Sequence, residues 1–375
     1  MRLPIPFSLS AFALLAFATC LPVPASAAQA WIIHPLGTDF DLNGVVWTGS
    51  RLVAVGGAYS GENVVYTSPD GDTWTRRPIA NTTDDGLNAV CWTGSQLVAV
   101  GPEGNVLTSP DGIAWTQRPN AVAESWVGVA WLGGKLAAVT GVGRVLTSAD
   151  GITWETRFGG TGGAHADFNS IAWNGSLAVA TAGSGYQVSD GEVYTSPDGI
   201  AWTRRAAAKA PGLHAAAWTG SFWAAVGGVF DATGDKTGSL LGATSPDGLA
   251  WTADPDSGEE ILESVAWAGN RLLAVGWDGA RLASADGSHW TRMAADTLPR
   301  LQSVIWTGTQ AVAVGWSSTI VTLPPEPVSL GARTPSVRRD PEEGPGAAYG
   351  ASGRRLPAAG GSGARIKSYF MGSGR

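Results

Sequence analysis

The stretch Ser68-Pro69-Asp70-Gly71-Asp72-Thr73-Trp74 decides the fold, because its Ser-x-Asp-Gly-x-x-Trp pattern returns at Ser109–Trp115, Ser148–Trp154, Ser196–Trp202, Ser245–Trp251 and Ser284–Trp290. A short Asx side chain such as Asp111 can accept backbone N–H bonds within a turn, Gly112 supplies a positive φ without Cβ strain, and Ser109 can bond locally, so each copy reads as a tight hairpin. The Trp that follows re-enters a sheet and buries its ring between neighbours. A second signal alternates with the first: a Val- and Ala-rich segment ends in Trp at positions 47, 92, 131, 173, 218, 267 and 306. An internal period of roughly 40 to 45 residues belongs to propeller blades.

The second repeat gives the pattern of one blade. Asn88–Trp92 reads as a first strand, Thr93–Ser95 as a tight turn, Leu97–Gly101 as a second strand, Asn105–Thr108 as a third and Ala114–Arg118 as a fourth. Four short antiparallel strands make a blade. The seventh repeat lacks its hairpin: after Trp306 come Ala311–Gly315 and Ser318–Thr322, and Pro324-Pro325 then stops the pattern. The other end of the chain supplies the missing strand. Trp31-Ile-Ile-His-Pro35 resembles Trp74-Thr-Arg-Arg-Pro78, and the interval from Trp31 to Trp47 equals those from Trp115 to Trp131 and from Trp290 to Trp306. The N-terminal segment is therefore expected to be the outermost strand of the last blade, closing the ring and removing open sheet edges. The expected fold is an all-β, seven-bladed propeller over residues 28–323.

These motifs resemble the Asp-box, or sialidase-type, repeats of secreted propellers. The plan of residues 31–322 is similar to the photosystem II assembly-factor propellers and their non-photosynthetic bacterial relatives. The family pattern usually has one more residue between the Asp and the Trp, so the box here is shortened. In that family the box is a folding motif without a catalytic role. The resemblance thus implies architecture, and architecture alone does not give function.

Residues 1–27 read as a secretory signal: Arg2, an apolar run from Phe7 to Ala18, and Ala25-Ser26-Ala27 as a small-residue cleavage site. Lipidation of Cys20 is the rival reading of the same segment. An exported protein, periplasmic, cell-surface or extracellular, is expected. No later stretch approaches the ~20 uninterrupted apolar residues of a membrane helix. If Cys20 is removed, Cys91 stands alone and no intrachain disulfide can contribute; its place in the repeat is that of a small core residue. Residues 28–323 carry 15 Lys+Arg against 27 Asp+Glu, a net of −12, whereas 324–375 carry 8 against 4, a net of +4. An acidic body argues against nucleic acid, which requires a basic stripe. The tail 324–375 is rich in Gly, Pro and Arg and is expected to be flexible; Ala347–Leu356 faintly resembles the Tyr-x-x-x-Gly-Arg stretch of C-terminal sorting domains. A monomer without a cofactor is expected.

Loop lengths divide the two faces. Turns between first and second strands, such as Thr48–Ser50 and Thr219–Ser221, are short and repetitive, and the box hairpins project on the same side. The opposite face gathers longer, varied connections at 57–63, 81–86, 159–167, 181–191 and 227–239. Variable loops on a rigid frame are where binding sites are built. Comparison of equivalent positions assigns Trp126, Tyr66 and Tyr194 to the core, and Arg77, Arg118, Arg157 and Arg205 to repeated structural places on outer strands. Two features survive it. Four residues before the blade Trp, the innermost strand carries Asn43, Asn88, Val127, Asn169, His214, Glu263 and Gln302. These polar groups either satisfy strand-end backbone and channel water or form a funnel that recognises a ligand or an inserted peptide end. The second feature is Trp277 and Trp316, where other repeats have Gly57, Pro102 and Gly228. They form an expected aromatic patch for a sugar or a protein, rimmed by Asp278, Glu103, Arg144 and Arg281, unless each merely covers its neighbour's loop.

Catalytic and metal motifs are sparse. The sialidase arginine triad and the Phe/Tyr-Arg-Ile-Pro signature are not matched, and Asp84-Asp85 and Glu259-Glu260 are adjacent acids whose separation sequence does not give. His34, His165, His214 and His289 have no ligand spacing, and Asp231 and Asp235 lack the regular series of a calcium loop. The preferred reading is a non-catalytic binding or assembly module with a protein or glycan on its loop-rich face. The alternative is a carbohydrate-active enzyme with its site at the channel mouth. Arg and carboxylate groups converging there favour the enzyme; an aromatic patch without converging acids favours the module.

Overall fold

In the second repeat the chain runs Ala89–Trp92, Leu97–Val100, Val106–Ser109 and Thr116–Gln117 as four adjacent antiparallel strands. Its two middle strands are buried at every position, because both of their faces meet other blades. This is why Leu97–Val100 reads as a continuous apolar run rather than as an alternation, while the polar Thr108 and Ser109 of the third strand are buried with hydrogen-bond partners in Arg118 and Gly112. The outer strand is exposed and polar. The protein, seen here as a computed structural model, is described over residues 30–57, 62–79, 86–119, 122–159, 167–183, 191–206, 212–228, 242–253, 260–293 and 297–325. Among these residues the same meander forms seven four-stranded sheets. The signal segment, Cys20 and the tail beyond Pro325 lie outside them, as do Tyr59, Asp84, Asp85, His165, Tyr186, Asp231, Asp235, Glu259 and most of the varied connections.

The first strands of successive blades lie side by side, and Asp41–Trp47 of blade one also lies against Leu301–Trp306 of blade seven, so they close a circle around a central axis. The apolar core lies between blades. Val53, Val55 and Val65 of blade one pack with Leu87, Leu97, Leu107 and Trp115 of blade two. Val98 and Val100 of blade two in turn pack with Trp126, Leu146 and Trp154 of blade three. Trp126, Tyr66 and Tyr194 are buried as their repeat positions imply. Cys91 is buried too, and burial pushes its thiol up to about 12, which leaves it inert as a nucleophile at neutral pH.

Ring closure follows the expected route. Ile32 and Ile33 pair antiparallel with Thr322 and Val321 as the outermost strand of blade seven, and His34 Nε2 lies 2.8 Å from Thr322 Oγ1. A second clasp joins the same two blades: Ser318 N donates to Phe40 O at 2.5 Å, and the Ser318 and Thr38 hydroxyls are 2.7 Å apart.

The hairpins are held as their sequence implies. Gly112 N donates to Ser109 Oγ (2.8 Å), and the N–H groups of Ile113 and Ala114 donate to Asp111 Oδ1 (2.8 and 3.2 Å). Trp115 Nε1 donates to Gly112 O at 3.0 Å. Trp154 departs from this, standing edge-on to Trp126 with ring centroids 4.9 Å apart. The backbone donors hold the hairpin carboxylates, Asp70, Asp111, Asp150, Asp198, Asp247 and Asp286, below the usual carboxylate range. On this face the blades are also stapled in series. Arg51 Nη1 donates to Asp111 O (2.9 Å), Gln96 Nε2 to Asp150 O (2.9 Å), and Gln310 Nε2 to Asp70 O (2.5 Å) across the closure.

Candidate functional site

The first strands are not regular. In six of the seven sheets the pairing with the second strand skips one residue, and the residue skipped is Asn43, Val127, Asn169, His214, Glu263 or Gln302. The polar series read from the sequence is therefore a series of β-bulges, which re-aim a side chain that the strand's alternation would otherwise place. In blade two, Asn88 stands just before the strand and keeps its N–H on Val100 O. In blades one, five, six and seven a backbone carbonyl closes over the end of the second strand. A Cβ on Gly56, Gly227, Gly276 or Gly315 would fall 1.8–2.1 Å from that oxygen, so only glycine fits.

Around the mouth these side chains do two different things. Asn43 Nδ2 donates to Leu87 O (2.9 Å), Asn88 Nδ2 to Trp126 O (3.0 Å) and Asn169 Nδ2 to Leu213 O (2.9 Å). Each is a staple from one blade to the backbone of the next, which is the structural role that polar groups near the axis were expected to fill. Val127 packs in the core beside Phe158 and Phe168, and Gln302 is half-buried in its strand.

Blades five to seven replace backbone staples with charges. His214 Nδ1 lies 3.3 Å from Glu263 Oε2, near enough for attraction though not aligned as a hydrogen bond. Glu263 Oε1 accepts from Trp277 Nε1 at 2.5 Å and lies 2.7 Å from Arg300 Nη2. The Arg300 guanidinium carbon stands 4.3 Å from the Trp277 ring centroid and 5.2 Å from that of Trp316, and the two rings are 5.9 Å apart at 57°. The Glu263 side chain is only 12% exposed and that of Arg300 21%. Burial disfavours the Glu263 carboxylate, but the His214 and Arg300 charges and the Trp277 N–H outweigh it and hold the group below its usual range. The two features singled out in the sequence are thus one cluster, and Arg300 joins them.

Sequence reasoning passed over Arg300. Its signal was there: it immediately precedes the inner strand of blade seven, where other blades have Asp41, Gly86, Ser125, Asp167, Gly212 and Ile261, and a cation at that place faces the only acid of the bulge series. The small-residue consensus at the Trp positions also has a cause. A Cβ on Gly57 would fall 2.3 Å from Gly86 Cα, and one on Gly228 would fall 3.0 Å from Ile261 Cα. In those blades the next inner strand's approach fills the space that Trp277 and Trp316 occupy in blades six and seven.

The expected rim is corrected. Asp278 is exposed beside Trp277, in a left-handed turn with φ 52°. Glu103 adopts the equivalent turn, but in blade two, which does not adjoin blade six or seven in the ring. Arg144, in blade three, is bound to Glu124 (Nε to Oε1, 2.8 Å), whose other oxygen accepts from Thr140. Arg281 is 1% exposed. It stands where other third strands have Val106, Val145 and Ile320, and its Nε donates to Gly279 O. Of the four, Asp278 alone lies at the patch. The repeated outer-strand arginines are structural: Arg77, Arg118, Arg157 and Arg205 donate from Nε to Thr67, Thr108, Thr147 and Thr195 at 2.7–2.9 Å.

Fold and site together define the class: a seven-bladed β-propeller with one differentiated sector at its mouth. No protein-family model matches the chain, and no curated protein matches it in sequence. Solved structures resemble it in fold. YCF48 bound to D1 peptide is 20% identical with a TM-score of 0.60, over 81% of this chain and 99% of that one. YCF48 from Cyanidioschyzon merolae is 19% identical with a TM-score of 0.60, over 80% and 100%. A catalytically inactive virginiamycin B lyase from Staphylococcus aureus with quinupristin is 8% identical with a TM-score of 0.61, over 79% and 99%. At these identities the likeness is one of fold, and the fold serves binding proteins and a lyase alike.

Proposed function

We propose that this chain is an exported, non-catalytic propeller that binds a segment of another protein on its loop-rich face, at the mouth of blades five to seven. The observation that carries the reading is the stack of Trp277, Arg300 and Trp316 over Glu263, in the ring where blades one, two and four place neutral staples. Aromatic rings and arginine are the residue types that dominate protein recognition. The solved complex of YCF48 with a D1 peptide illustrates that a ring of this kind takes a peptide. No helix of the described residues is long and apolar enough to cross a membrane, and the N-terminal signal supports export.

A protein partner is favoured over a glycan because the two indole rings and Glu263 hold a guanidinium, a group that protein segments carry and sugars lack. The hydrolase reading draws on the same convergence of arginine and acid. It is disfavoured because Glu263 is engaged by Trp277 and Arg300 and held below its usual range, opposite to what a general acid needs.

The test is capture from the cell envelope of the source organism by the full mature chain and by Trp277→Ala/Trp316→Ala, with a glycan array in parallel. A protein captured by the parent and lost by the variant supports the reading. Glycan binding lost in the variant, with no protein captured, would replace it with a lectin.

A further inference from the structure

We propose that Trp277, Trp316 and Glu263 form a cage for a guanidinium group, that Arg300 is its resident occupant, and that an arginine side chain of the partner takes Arg300's place on binding. The inference rests on the protein-binding reading and gives that site a ligand chemistry.

Three observations lead to it. The walls of the cluster are those of a cation site: two indole rings inclined at 57° and a carboxylate on the same guanidinium. Ring faces attract cations electrostatically, and a planar guanidinium both stacks on a ring and forms directed bonds to a carboxylate, as an ammonium does not. The carboxylate is largely withdrawn from water yet held ionised, so it requires a cation wherever that cation comes from. Finally, the interblade joint does not need this apparatus, since Asn43, Asn88 and Asn169 make it with neutral hydrogen bonds to the next blade's backbone. Arg300 is also well placed to yield. Its backbone is fixed by Trp316 N donating to its carbonyl at 2.9 Å, while its side chain reaches the cage from the mouth and stays 21% exposed. The net −12 carried by residues 28–323 would draw a cationic segment toward the ring.

A resident side chain lowers the apparent affinity for an incoming one by the fraction of molecules whose cage is open. Emptying the cage by Arg300→Ala should therefore expose it to a small probe, N-ethylguanidinium, titrated into the full chain and followed by tryptophan fluorescence and thermal melting. The expected result is saturable one-to-one binding to Arg300→Ala, on the order of tenfold or more tighter than to the parent, with a raised melting temperature. Urea, a neutral planar isostere, should give neither effect, and Arg300→Ala/Glu263→Gln should lose the binding. A peptide carrying arginine should then compete with the probe, and its lysine counterpart should not. Equal titration of the parent and Arg300→Ala, or binding that survives Glu263→Gln, would overturn the proposal and leave Arg300 as a structural clasp. If Arg300→Ala does not fold, Arg300→Gln keeps a polar side chain without the charge, too short to fill the cage, and takes the same titration. The probe measurement involves no partner. Binding of N-ethylguanidinium without any captured protein would therefore refute the protein-binding reading alone, and a captured protein with an empty cage blind to guanidinium would refute the cage alone.

Discussion

One ring presents two different mouths. Around blades one, two and four, the residue at the head of the inner strand is an asparagine whose amide ties it to the next blade's backbone. In blades five and six the same places hold His214 and Glu263, joined by Arg300 of blade seven and two tryptophans, and in blade seven the place holds Gln302. The two sectors share the four-stranded antiparallel pairing, and a bulge at the head of the inner strand recurs in blades one, four, five, six and seven. What the comparison teaches is that the asparagines suffice for architecture, so the charged and aromatic sector answers to something else.

The comparison can be broken by substitution. The largest effect is expected from Glu263→Ala, which strands the Arg300 charge without its anion; breaking a buried pair from one side costs about 3–5 kcal/mol, read as a loss of unfolding free energy in urea. Removing both partners, as Glu263→Met/Arg300→Met, should recover most of that loss and fall within about 1–2 kcal/mol of the parent, because an apolar replacement of a buried pair is often neutral. Equal losses in the single and double variants would mean the pair is not coupled. In the other sector, Asn43→Ala and Asn169→Ala should each cost about 1–2 kcal/mol by leaving a backbone carbonyl unpaired. The hairpin variant Asp111→Ala should cost about 1 kcal/mol, a small figure because the turn is solvated and its bonds exchange with water.

Acid separates the sectors further. The Glu263 carboxyl is held below its ordinary value in the folded chain, so the stability it contributes is present above the unfolded carboxylate range and is lost as pH falls through the lowered folded value. The difference in melting temperature between the parent and Glu263→Gln should therefore shrink as pH is lowered from neutral toward 3, whereas that between the parent and Asn43→Ala should stay constant. A gap for Glu263→Gln that does not change with pH would contradict the assigned charge state.

Most of the fold was legible because it is written in repeats. Six hairpins with Asp and Gly at fixed offsets, seven blade tryptophans and the Trp31 interval specify blades, order and closure without any long-range information. Trp126 and the outer-strand arginines were placed by comparing equivalent positions, which works where blades are alike. The site was legible only in part, for the opposite reason: it lies where the blades differ. The bulges at Asn43, Asn169, His214 and Glu263 insert one residue without a sequence marker of their own, and they turn a row of polar residues into cross-blade partners. Arg281 looked like a loop residue, yet the register places it in the third strand opposite Val275. Arg300 stands at a repeated position that has no residue type of its own, and its importance comes from meeting Glu263 and Trp277 across a blade boundary.

The central claim, that recognition belongs to blades five to seven, is tested most directly by photo-crosslinking. A benzoylphenylalanine is placed at Pro299 in the charged sector or at Ser125 at the mouth of blades two and three, both exposed, in the full chain within its native cell envelope. The account predicts a discrete protein adduct from Pro299 that disappears with Trp277→Ala/Trp316→Ala, and none from Ser125. Equal adducts from the two positions, or an adduct from Ser125 alone, would contradict it.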